Sequence, residues 1–216
     1  MKLSDVLFLE AEPLWIKATQ KNFLIEMANG TLDNIRYRNY MLQDYIYLKD
    51  YIEILNQIST FAQDMPLKNF LKKITAETKR ELCRVHIPEM KKIGISGSDI
   101  ENCIPNQVVT DYVNYFHKNI NGVQSGLTAL LQCSWNYAYI ARVISEKYSC
   151  ELSRSVYKSW FDAYTCTEYV KANQLWINVL DQYTLGIRFE ETNKLCRIFK
   201  DCACFENMFW DCLYEQ

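Results

Sequence analysis

The stretch Tyr40-Met-Leu-Gln-Asp-Tyr-Ile-Tyr-Leu48, continued by Lys49-Asp-Tyr-Ile-Glu-Ile-Leu-Asn-Gln-Ile58, decides the fold. Its large apolar side chains fall at Tyr40, Met41, Leu48, Tyr51, Ile52, Leu55 and Ile58. In a helix turning every ~3.6 residues, that spacing gathers them on one face. Asp33 can cap the helix at its start, and it is predicted to run to about Ala62. Asp44 falls in phase with the apolar face, with Tyr47 beside it. A carboxylate there costs free energy unless it is paired or hydrogen-bonded. It is either tied to a neighbouring helix or kept for a ligand, and the spacing does not choose between these.

The same grammar extends in both directions. Ser4-Asp5 can cap a first helix reaching about Ala28, bent at Pro13 for want of an N–H donor, with Asn29-Gly30 ending it. Asp64 and Pro66 open a third helix toward Val85, which Pro88 bends or ends. Residues 91–106 read as loop, Gln107 to Asn119 as a fourth helix, and Ser125 to Lys147 as a fifth. A further helical stretch is predicted from Ser153 to about Gly186, broken near Tyr164-Thr165, and a last helix from Arg188 to Tyr214. No segment has period-two alternation between turn signals. Six glycines and four prolines are too few for a many-stranded sandwich or barrel, which turns every ~8–12 residues. The expectation is one all-α domain, residues 1–216, of about seven or eight helices.

Composition excludes several function classes. A net charge of −2 gives no electrostatic footprint for nucleic acid or acidic membranes. No apolar run approaches the ~18 residues of a membrane span. The nine cysteines are odd in number, and Met1-Lys2-Leu3-Ser4-Asp5 lacks the look of an export signal. The thiols are therefore expected reduced, in the cytoplasm, and mostly as small buried hydrophobes. His86 and His117 are the two histidines; Cys83-x-x-His86 and Cys202-x-Cys204 lack partner pairs at zinc-site spacing and read as core and surface accidents. There is no phosphate-binding glycine loop and no nucleophile elbow.

Three further places hold polar groups on apolar stripes. Leu130, Cys133, Tyr137 and Ile140 recur at steps of three and four, which turns Cys133 inward. With eight other cysteines in the chain, a space-filling thiol explains it equally well. Glu206 lies within Phe205-Glu-Asn-Met-Phe-Trp210 and, taken alone, reads as an exposed acid flanked by aromatics. Tyr112, Tyr137 and Tyr164 lie on separate helices and could stack on a flat heteroaromatic ring if they converged.

Four segments together resemble the TenA/thiaminase II family. Residues 40–48 resemble its Y-x-x-Q-D-x-x-Y-L segment, and Ala129-Leu-Leu-Gln-Cys-Ser-Trp-Asn-Tyr137 is similar to A-L-L-P-C-x-W-x-Y. Tyr157-Lys-Ser-Trp-Phe-Asp-Ala-Tyr164 is similar to Y-x-x-W-I-x-x-Y, and Glu206-Asn-Met-Phe-Trp210 to E-x-x-F-W. They occur in the family's order and cover essentially the whole chain. The resemblance implies a haem-oxygenase-like helical fold. It also implies a cytoplasmic enzyme of thiamine salvage, a homotetramer acting on an aminopyrimidine or thiamine, with no cofactor and no metal.

Residue by residue, the resemblance makes Cys133 the nucleophile, Glu206 its acid partner and Asp44 the carboxylate that holds the aminopyrimidine. Tyr47, Tyr112, Tyr137, Tyr164 and Phe209 match pocket positions, Tyr112 by helix position and spacing. Gln132 departs from the family's proline before the cysteine, which could alter the backbone there. Trp15 and the stretch from Trp210 to Tyr214 are the expected subunit contacts. The main alternative is a helical binding or regulatory protein that keeps the pocket without turnover. A haem enzyme would need an axial ligand, commonly His, and a repressor would need a basic recognition helix.

Overall fold

In the computed structural model, which describes residues 2–215, these residues are helical with no strand among them. The segments outnumber the seven or eight expected. Helix α1 spans Leu3–Ala18 and runs through Pro13 unbroken. The missing proline N–H frees the Leu9 carbonyl, and both residues are exposed, so water can serve it. The break comes later. Gln20 N–H bonds Lys17 O and Lys21 N–H bonds Ala18 O, both at 3.1 Å, tightening the chain into α2, Asn22–Asn29. Gly30 ends α2 at φ 72, where a residue with a Cβ is disfavoured.

Helix α3, Asn34–Phe61, begins as read, with Asp33 Oδ1 accepting Ile35 N–H at 2.7 Å. Helix α4, Met65–Glu81, is capped by Asp64. It passes into a π-helical stretch, Leu82–His86, and then into α5, Ile87–Lys92. Pro88 does not end the helical path; the path widens ahead of it, consistent with a proline that cannot donate to the preceding turn. The predicted loop 91–106 holds a short α6, Gly97–Asn102, boxed by Ser96 and Asp99. Helix α7 is Gln107–Asn119, as predicted, with Asn106 Oδ1 accepting Val109 N–H at 2.9 Å.

Helix α8, Val123–Lys147, leads to a short α9, Ser149–Leu152. The stretch predicted to start at Ser153 begins instead with α10, Lys158–Thr165, followed by α11, Thr167–Tyr183. Ser155 Oγ donates to Met27 O at 2.5 Å and Tyr157 OH to Leu32 O at 2.9 Å, so this segment caps the region after α2 instead of coiling. Helix α12 is Phe189–Glu215.

The chain divides into two compact units. In the first, residues 2–32 and 127–215, α1 packs on α11 and α12 around Phe8, Trp15, Trp135 and Phe199, whose rings approach within 5.4–6.1 Å. In the second, residues 33–126, α3 packs on α4, the π-helical stretch, α5 and α7. Trp15 and Trp210 are fully buried in the protomer, so neither can offer the subunit contact expected of it. Nor are the thiols mostly buried: only Cys202 is, while Cys83 and Cys150 are exposed and the others half-buried, and none is in a disulfide.

Candidate active site

In the second unit, Asp44, Tyr47 and Tyr112 are all buried. Tyr47 on α3 stacks on Tyr112 of α7, centroids 5.3 Å apart and planes inclined by 29°. Phe116 closes on Tyr112 at 4.5 Å. Gln43, beside the aspartate, explains how α7 is held in place. Its Oε1 accepts Asn106 N–H at 2.8 Å and its Nε2 donates to Ile104 O at 3.0 Å, which fixes the entry to the helix carrying Tyr112.

Asp44 is 4% exposed, and Oδ2 receives His86 Nε2 at 2.6 Å. Since a carboxylate oxygen accepts, Nε2 carries the hydrogen. His86 sits at the end of the π-helical stretch and is 4% exposed. Burial pulls its imidazolium down, but the Asp44 hydrogen bond and charge, then the Glu81 carboxyl and backbone, outweigh it and raise its pKa above the ordinary 6.5. Burial pushes the Glu81 carboxyl up as well, with His86 pulling partly against it. His86 is the aspartate's partner, a role that the reading of Cys83-x-x-His86 did not reach, while Cys83 is exposed. The available signal was the pair of Asp44 on one apolar stripe and a lone histidine ahead of Pro88.

The first unit holds Cys133, Glu206, Tyr137, Tyr164 and Phe209. Cys133 is half-buried on α8. Next to it, Ser134 Oγ donates to Asn173 Oδ1 at 2.8 Å, anchoring α8 to α11. Glu206 on α12 is 2% exposed, against the reading of an exposed acid. Phe209 and Trp210 follow it by three and four residues and turn the same face inward. Tyr137 and Tyr164 meet edge to face at 5.0 Å, Tyr137 lies 5.6 Å from Trp210, and Trp210 5.6 Å from Phe209. These three predicted aromatics therefore share one ring network built from α8, α10 and α12.

Gln132 does not disturb the backbone before the thiol, since α8 runs without interruption from Val123 to Lys147. It is fully enclosed, as are Thr128 and Asn136 one turn to either side. Asn136 has no hydrogen-bond partner for either side-chain atom. Among the described residues, no three His, Cys, Asp or Glu side chains gather as a metal site.

The chain is similar over its whole length to two proteins named aminopyrimidine aminohydrolase. That of Helicobacter pylori is 25% identical over 218 residues, covering 100% of both chains. That of Halalkalibacterium halodurans is 26% identical, covering 100% of this chain and 97% of its own. Among solved structures, the TenA homologue from Pyrococcus horikoshii superposes with a TM-score of 0.84 at 25% identity, covering 100% of this chain and 99% of that one. The TenA homologue of Pyrococcus furiosus has a TM-score of 0.88 at 23% identity, over 98% and 100% of the two chains, and bears on the fold alone. The fold class is thus all-α and haem-oxygenase-like, as the resemblance implied. The TENA/THI-4/PQQC family pattern matches residues 10–216, and with it the four motifs, the helical fold and the full-length relatives agree: the chain belongs to that family.

Proposed function

We propose that this protein is a hydrolase of thiamine salvage. It converts 4-amino-5-aminomethyl-2-methylpyrimidine to the hydroxymethylpyrimidine and ammonia, and by the same chemistry cleaves thiamine to hydroxymethylpyrimidine and the thiazole alcohol. The observation that carries the reading is Glu206, a carboxyl enclosed among aromatics in a chain whose full-length relatives are named aminopyrimidine aminohydrolase.

Ammonia leaves an exocyclic carbon poorly, so a covalent route divides the barrier. The Cys133 thiolate adds to the pyrimidine ring while an acid protonates a ring nitrogen. The ring's electron pair then expels the amine, water adds at the exocyclic carbon, and the thiolate departs as aromaticity returns. Glu206 takes the thiol proton and returns it. Asp44 accepts the 4-amino hydrogen, and the rings of Tyr47, Tyr112, Tyr137, Tyr164 and Phe209 stack on the heterocycle and exclude water. This chemistry calls for no metal and no cofactor.

The test is steady ammonia release from the aminomethylpyrimidine by the intact chain, compared with Cys133→Ser. The substitution should lower the rate by several powers of ten, at about 1.4 kcal/mol of barrier per factor of ten, with the helical circular dichroism retained. A variant that keeps more than about a tenth of the rate rules out the covalent route. We further propose a cytoplasmic homotetramer. Leu9, Ile16, Val170 and Leu175 expose large apolar side chains on α1 and α11 of the first unit, surface of the kind that subunit contacts cover.

A further inference from the structure

We propose that His86 is a positioning residue: its Nε2–H, held at Asp44 Oδ2, fixes the orientation and the acceptor role of the carboxylate that meets the aminopyrimidine. The inference rests on the reading of Asp44 as the ligand carboxylate and says how that side chain is controlled. Its geometry is a buried pair, Asp44 on α3 and His86 closing the π-helical stretch, with the half-buried Glu81 at the end of α4 in the same unit. The Asp44 to His86 distance is 2.6 Å, and both side chains are 6% exposed. From α5, the third element packed on this stretch, Glu89 turns instead to Lys92 at 3.0 Å. The ring's charged neighbours in this unit are therefore the two carboxyls.

A π-helical turn inside α-helix is uncommon and is frequently found at functional sites. Here the wider turn ends on the one histidine that reaches Asp44. A carboxylate with both oxygens free to rotate presents acceptors in any direction. One oxygen pinned by a donor leaves the other with a set direction, which is what recognition of a flat amino-substituted ring demands. As an imidazolium, His86 also supplies a charge-assisted bond, roughly twice as strong as a neutral one. A neutral ring would keep the bond and lose that part of it, so the hold on Asp44 weakens as His86 loses its proton.

The experiment has two arms. Nitrogen-15 spectra of the intact protein read imidazole protonation without any substrate, and the signals lost in His86→Gln are those of His86. His86 should titrate above the ordinary 6.5, and Asp44→Asn should lower its titration midpoint. A wild-type His86 whose midpoint is unmoved by Asp44→Asn overturns the proposal. The second arm measures hydroxymethylpyrimidine affinity and ammonia release from pH 6 to 9 for wild type, His86→Gln and His86→Leu. Wild-type affinity should fall as pH rises through the His86 titration. His86→Gln keeps an N–H donor, so it should retain binding and lose that alkaline limb. His86→Leu should raise KM at least tenfold across the range, with a smaller change in kcat. If the limb persists in His86→Gln, or if both variants lower thermal stability and leave KM alone, the pair is structural and the proposal fails. A wild-type chain that binds no hydroxymethylpyrimidine counts against the aminopyrimidine reading, and the spectra still decide whether His86 holds Asp44.

Discussion

Glu81 and His86 both hold protons more tightly in the folded chain than in the unfolded one, and the two shifts act on stability with the same sign. For His86, whose pKa is raised above the ordinary 6.5, the added stability is complete below that value and is lost as pH climbs through the folded pKa. For Glu81, raised above 4.5 by burial, loss begins at more acidic pH and proceeds in the same direction. Thermal unfolding of the protein should therefore show a melting temperature that declines from pH 6 toward pH 9. His86→Gln should flatten the part of that decline above pH 6.5, the ordinary imidazole value. A melting temperature that rises over this interval in the wild-type chain would contradict the assignment of both groups. Asp99, in contrast, is exposed and bonded to Ser96, and its shift carries no comparable weight.

At the scale of the element, the tightest packing constraint lies where α8 begins. A Cβ at Gly126 would meet Ile58 Cγ1 at 2.4 Å and Cδ1 at 2.5 Å, and Ile58 is fully buried on α3. Alanine in place of a helical glycine returns up to ~1 kcal/mol of propensity. Overpacking a closed core costs about 1–3 kcal/mol. Gly126→Ala should thus destabilise the protein in urea titrations, and combined with Ile58→Ala the two losses should fall short of their sum. Gly126→Ala with a raised midpoint would show that Ile58 yields freely. What the sequence made legible at this scale was local chemistry. Asp33 and Asp64 cap the helices they were expected to cap, and Gly30 ends α2, because each acts on backbone groups two or three residues away. The π-helical stretch and the break at residues 19–21 were not legible. Tertiary neighbours share in deciding them: Lys21 reaches Asp211 at 2.6 Å, and His86 reaches Asp44 across 42 positions. Glu206 belongs with these: its own segment suggests exposure, and burial comes from helices remote in sequence.

For the whole molecule, the family motifs made the fold class and the choice of candidate side chains legible, while the partition into two compact units was not. The proposed assembly is checked by light scattering at low micromolar concentration, which should return about four times the chain mass, as expected for large apolar interfaces. Aspartates in place of Leu9 and Ile16, both exposed on α1, should lower that mass, whereas a wild-type monomer with full activity would refute the tetramer. One last feature bears on the sequence's history. Asn136 is enclosed on the thiol's own helix with neither amide atom partnered, at a cost of about 1–3 kcal/mol. Proteins persist only a little above the stability that function requires, so a standing handicap of this size narrows the set of substitutions the rest of the chain can accept. A lineage that exchanged Asn136 for leucine would gain a reserve against which new, destabilising specificities could accumulate.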